Sequence, residues 1–144
     1  MAHVLETGFE ILNRENPNGS PTVMGYNIIN GELRSASDGE TFESRNPAWL
    51  DDCLGVFPLS TKEDVHDALI SAREAFSQWS QTPAPTRGQI IGNMGRLLME
   101  HKDDIVRVES REIGKTLKES AGEVQEAIDT CLFFQSEGRR LYGQ

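Results

Sequence analysis

Two cysteines, three histidines and a run of spaced glycines are the residues of this 144-residue chain whose types could carry chemistry. A thiol serves as nucleophile or metal ligand only when its surroundings favour the thiolate. Cys131 falls on the apolar stripe of a helical pattern, flanked by Thr130 and Leu132, where a free cysteine acts as a small core residue. Cys53 follows Asp51 and Asp52, whose negative charges disfavour a thiolate. Neither reads as a nucleophile. His3, His66 and His101 share no metal-ligand spacing with one another or with the cysteines.

Gly88, Gly92 and Gly95 invite a phosphate-loop reading. A dinucleotide fingerprint needs a buried strand before it and a turn into a helix N-terminus. Pro83-Ala84-Pro85 precedes these glycines instead, and they fall inside a helical register. Close packing of that helix on a neighbour is the better account. Glu109, Glu112, Glu119, Glu123 and Glu126 stand near Arg107, Arg111, Lys115 and Lys118 at helical spacings, which reads as surface ion pairing. The residues alone therefore nominate no catalytic, cofactor-binding or metal site.

The elements that would position a site fall into two runs. Residues 1–24 hold Asn13 to Pro21, polar and rich in turn formers, and are expected to be a flexible N-terminal arm. Residues 25–144 are expected to be one domain segment. It opens with a hairpin, Tyr26–Ile29 and Glu32–Ser35 around Asn30-Gly31, the pair favoured in a type I′ turn. Thr41–Ser44 and Leu54–Leu59 predict further strands, with Asn46-Pro47-Ala48 breaking the first and Pro58 marking an edge or an end of the second.

Ser60 to Glu63 fits a capping box. Beyond it Val65, Ala68, Leu69, Ala72, Phe76 and Trp79 recur as one apolar helix face. Pro83 and Pro85 stop that helix, and the next opens near Thr86 and is expected to bury Ile90, Ile91, Met94, Leu97 and Leu98. A third spans Asp103–Ile113, with Ile105, Val108 and Ile113 inward and Gly114 as its C-cap. The last runs from about Leu117 to Leu141, with Val124, Ala127, Ile128, Cys131 and Phe134 in register.

Composition narrows the function classes. A formal charge of −9 argues against nucleic acid and anionic membranes as partners. No apolar stretch reaches bilayer length, and Met1–Glu6 lacks the basic and apolar regions of a signal peptide. With two distant cysteines and no Cys-x-x-Cys pair, the expected compartment is reducing and cytoplasmic.

In order and spacing the markers are those of one family. They run from Asn30-Gly31 through Thr41-Phe42-Glu43-Ser44 and Asn46-Pro47-Ala48 to Gly55. Ala72-Arg73-x-Ala75-Phe76-x-x-Trp79 and Arg87 follow, then Glu112-x-Gly114-Lys115, Gly122-Glu123-Val124 and Arg140-Leu141-Tyr142-Gly143. From Tyr26 to Gly143 the chain resembles the opening portion of NAD(P)-dependent aldehyde dehydrogenases. The Pro83-Ala84-Pro85 and Gly122–Glu126 variants look most like an aminoadipate-semialdehyde branch. The resemblance implies an α/β fold in which the hairpin element and about four amphipathic helices form an incomplete part of the cofactor-binding domain.

In that family a cysteine thiolate attacks the aldehyde, hydride passes to NAD(P)+, and a glutamate-activated water releases the acid. The catalytic asparagine lies in a Pro-Trp-Asn-Phe-type motif and the cofactor turn in a Gly-x-Thr-x-x-Gly-type motif. Neither occurs between Met1 and Gln144, where Trp49 and Trp79 are followed by Leu50 and Ser80. No catalytic or cofactor residue is carried over. The chain is expected to be inactive alone and to bind no NAD or NADP by itself. Its expected partners are the remainder of the enzyme or like subunits. The alternatives are a stand-alone helical interaction module that joins a complementary aldehyde dehydrogenase chain, and a non-functional truncated product.

Overall fold

A computed structural model of the protein describes residues 9–140, and the surroundings of side chains from Asn16 onward. Among the described residues six strands precede four helices. The strands are β1 (Phe9–Glu15), β2 (Pro21–Gly25), β3 (Asn27–Ile29), β4 (Glu32–Arg34), β5 (Thr41–Arg45) and β6 (Cys53–Pro58). The helices are α1 (Lys62–Trp79), α2 (Ala84–Glu100), α3 (Lys102–Ile113) and α4 (Leu117–Glu137). The chain divides into two compact units, Met1–Ser77 and Gln78–Gln144.

In the first unit β1, β2, β6 and β5 form a sheet in that order, and β3 pairs with β4 as a separate hairpin. β2 runs parallel to β6, while the β1–β2 and β5–β6 pairs are antiparallel. The Asn30-Gly31 turn is as expected, with φ of 54° and 75° at the two residues. Pro58 is the last residue of β6, where its missing N–H costs the ladder least.

The stretch expected to be an arm over 1–24 is different from Phe9 onward: it supplies two strands of the four-stranded sheet. Asn16 is the reason composition misleads there. Its side chain is 7% exposed and copies a strand's hydrogen bonding. Oδ1 accepts the Cys53 N–H at 2.9 Å, and the two Nδ2 hydrogens are shared among the Cys53 carbonyl at 2.8 Å, Thr22 Oγ1 at 2.9 Å and the Ser20 carbonyl at 3.0 Å. Thr22 is fully buried beside it, its hydroxyl also donating to the Cys53 carbonyl at 3.2 Å. A polar segment has become buried because each polar group has a partner.

The cap of α1 lies one residue later than expected. Ser60 Oγ is occupied by the Asn27 side chain, at 2.9 Å and 3.1 Å. Thr61 caps instead, accepting from the Glu63 N–H at 3.2 Å and donating its own N–H to Asp64 Oδ2 at 2.7 Å. Asp64 also takes the Ser37 N–H at 3.0 Å, tying the loop after β4 to the helix start. These donors, the Thr61 backbone first, hold the Asp64 carboxyl below its ordinary value.

In the second unit α2 packs on α4 and α3 packs on α4. Val106, Val124 and Ile128 form its buried cluster, with Leu98, Ile105 and Ala121 against it. α2 buries its glycine face, as the close-packing reading expects, and only part of the apolar set expected inside: Ile91 and Leu98 are partly buried. Gly88, Gly92 and Gly95 are its buried residues, whereas Ile90, Met94 and Leu97 are exposed. On α3 Val106 is inward and Val108 and Ile113 are exposed; on α4 Val124, Ile128 and Cys131 are buried while Phe134 is exposed. The α1 face is likewise open at Val65, Leu69, Phe76 and Trp79. Periodicity located the apolar stripes, but the described residues cover only some of them.

Candidate functional site

The Gly88, Gly92 and Gly95 row packs on α4, Gly88 against the Gln135 backbone, Gly92 against the Gln135 side chain and Gly95 against Cys131. A Cβ on Gly88 would stand 2.6 Å from the Gln135 carbonyl oxygen, and one on Gly95 would stand 2.8 Å from Cys131 Cβ. Any side chain there would force the helices apart. The packing role expected from sequence is therefore the one found, and these glycines cradle no phosphate loop. Cys131 is buried against this seam and Cys53 is buried in β6; neither is in a disulfide. No group of histidine, cysteine and carboxylate side chains that could hold a metal occurs among the described residues. His101 serves the α2–α3 junction through its backbone N–H, which donates to the Leu97 carbonyl at 3.0 Å, and His3 lies outside the described residues.

The Glu-x-Gly-Lys segment ends α3. Gly114 takes the left-handed conformation, φ 75° and ψ 22°, and its N–H donates to the Ser110 carbonyl at 2.9 Å. Lys115, next in line, is not the surface pairing partner its spacing suggested. Its side chain is only 15% exposed and bridges Glu109, at 2.7 Å, and Glu123. The two carboxylates raise the Lys115 pKa, Glu109 more than Glu123. The Lys115 hydrogen bond is the first cause that lowers that of Glu123. One turn earlier Thr116 and Glu119 form a reciprocal capping box that begins α4. That Thr-x-x-Glu signal was legible in the sequence and was missed. Together these groups fix the α3–α4 turn, and one Glu109 carboxylate oxygen, Oε2, is buried there without a hydrogen-bond partner among the described residues.

What remains chemically available is an open apolar groove between α2 and α4, about 500 Å³ in volume. Trp79, Ile91, Met94 and Phe134 line it, with Arg87 and Glu137 among its polar members. A concavity of this size, lined mainly by large hydrophobic side chains, suits a docking segment better than it suits catalysis. None of the described helices is long and apolar enough to cross a membrane.

Comparison with known proteins assigns the chain. The aldehyde dehydrogenase family profile matches residues 34–144. The α-ketoglutarate semialdehyde dehydrogenase of Haloferax volcanii is 38% identical over 117 residues, covering 81% of this chain and 24% of that protein. The NADP-dependent succinate-semialdehyde dehydrogenase of Escherichia coli K12 is 37% identical over 116 residues, with the same coverage of 81% and 24%. Among solved structures, an NAD-dependent aldehyde dehydrogenase from Sinorhizobium meliloti superposes with a TM-score of 0.83 at 22% identity, over 96% of this chain and 28% of that one, and shows the shared fold. The chain spans about a quarter of the length of the curated relatives it matches. The aminoadipate-semialdehyde branch is finer than these matches, which carry other semialdehyde names. Matched by the family profile over a stretch that holds all four helices and the markers from Thr41 onward, the chain belongs to the aldehyde dehydrogenase family.

Proposed function

We propose that these residues are the scaffold quarter of an NAD(P)-dependent aldehyde dehydrogenase. The thiolate nucleophile, the catalytic asparagine, the activating glutamate and the cofactor turn then come from chain outside residues 1–144. The observation that carries this reading is the open state of the apolar faces on α1, α2 and α4. Exposed large hydrophobic residues at helical spacing need a covering layer, and the remainder of a family-length enzyme would supply one. NAD or NADP would bind the assembled enzyme, and two cysteines far apart in sequence with no Cys-x-x-Cys pair favour a reducing, cytoplasmic setting.

Mixing the purified 144-residue chain with the complementary remainder of a family member, and following NAD(P)H by its absorbance at about 340 nm, tests the proposal. The chain alone should give no aldehyde oxidation and the mixture should give some. Association without activity would favour the stand-alone interaction module, which the same open faces support.

A further inference from the structure

Arg87 is half-buried and lines the α2–α4 groove; its backbone N–H donates to the Pro83 carbonyl at 3.1 Å, but its guanidinium has no hydrogen-bond or ion-pair partner among the described residues. Nothing on its own helix answers its charge, because α2 has no acid in its first turn. Glu137, the acid lining the same groove, is engaged by Arg140 at 3.5 Å. A guanidinium held partly out of water without an acceptor is unfavourable, and a bidentate carboxylate is the group that best matches its planar fork. The rest of the wall is apolar: Trp79, Ile91, Met94 and Phe134.

We infer that this groove seats an apolar polypeptide segment bearing a carboxylate, which pairs with Arg87. The inference rests on the scaffold reading above, so the segment belongs to the remaining part of the family-length enzyme. Charge complementarity identifies it: one unanswered cation at the edge of an apolar trough calls for one anion on an apolar segment. A second copy of this chain is disfavoured by its net charge of −9.

The probe is octanoate against octanol, which share an apolar tail and differ in the carboxylate. Trp79 fluorescence in a Trp49→Phe background reports binding, since Trp79 lines the groove. Octanoate should bind about tenfold more tightly than octanol, the worth of one charge-assisted pair in a partly dry site. Arg87→Gln should erase that preference, and Arg87→Lys should keep part of it. Equal binding of the two probes, no binding of either, or an unchanged preference in Arg87→Gln would overturn the inference. So would a chain that sediments as a dimer with Trp79 already shielded, because the occupant would then be a second copy. Octanoate preference without any complementation by the remaining enzyme would remove the scaffold reading and its segment. Complementation with no octanoate preference would instead remove only the carboxylate seat.

Discussion

Gly88 and Gln135 meet across the α2–α4 seam so closely that a Cβ on the glycine would stand 2.6 Å from the glutamine's carbonyl oxygen. The obstacle is backbone, which cannot rotate aside. Gly88→Ala should therefore destabilise the helical unit by about 1–3 kcal/mol despite alanine's better helix propensity. Gly122 is the control. It lies within α4 with nothing within 4 Å of its would-be Cβ, so Gly122→Ala should stabilise by about 0.5–1 kcal/mol. Urea titration followed at Trp79 separates the two: opposite shifts in midpoint support the seam, and equal shifts contradict it.

Asn16 should matter far more than its loop-like neighbourhood suggests. Asn16→Ala would leave the Cys53 N–H without its acceptor at a buried position. The expected loss is about 1–3 kcal/mol, read from urea unfolding followed at Trp49. Asn16→Asp keeps an acceptor for that N–H but loses the two Nδ2 hydrogens and their bonds to Cys53, Thr22 and Ser20, so it should also destabilise. A wild-type midpoint for both variants would mean that the amide does not hold the sheet.

Acid should loosen the α1 cap and the α3–α4 turn together. Asp64, Glu119 and Glu123 all have carboxyl pKa values lowered below their ordinary 3.8 or 4.5. For Glu119 the Thr116 hydroxyl is the main cause, and for Glu123 it is the Lys115 ammonium. A lowered pKa in the folded state means the stabilisation is complete above the ordinary value and is lost as pH falls through the lowered one. Thermal midpoints should thus be flat between roughly pH 6 and pH 5 and should fall below about pH 4. Lys115→Met should lower the plateau and flatten part of that acid slope, because Glu123 then returns toward its ordinary value. A slope unchanged in Lys115→Met would rule out the bridge as its source.

The sequence disclosed which segments are helix and strand more faithfully than it disclosed what they bury. The Asn30-Gly31 hairpin, β5, β6 and the Gly114 cap depend on local backbone preferences, and those are legible residue by residue. The open Ile90–Met94–Leu97 face is a different kind of fact. Apolar spacing says that a face seeks cover, not which neighbour provides it, and α2 carries two such faces. The glycine face gave the truer signal, since close approach at Gly88 and Gly92 was foreseen from the register alone. Asn16 and Lys115 were opaque for a common reason: a polar residue becomes interior only when distant groups, Cys53 for one and Glu109 with Glu123 for the other, complete its bonding. Arg87 stood out in sequence as a family marker, and the structure adds that its guanidinium is unanswered.

The most direct test of the scaffold account is NAD(P)-dependent oxidation of a semialdehyde by the purified chain, with and without the remaining part of a family-length enzyme. The account predicts no NAD(P)H formation by the 144 residues alone and measurable formation once the two are combined. Turnover by the 144-residue chain on its own would contradict it, since no thiolate, asparagine or cofactor turn of the family's kind lies between Met1 and Gln144.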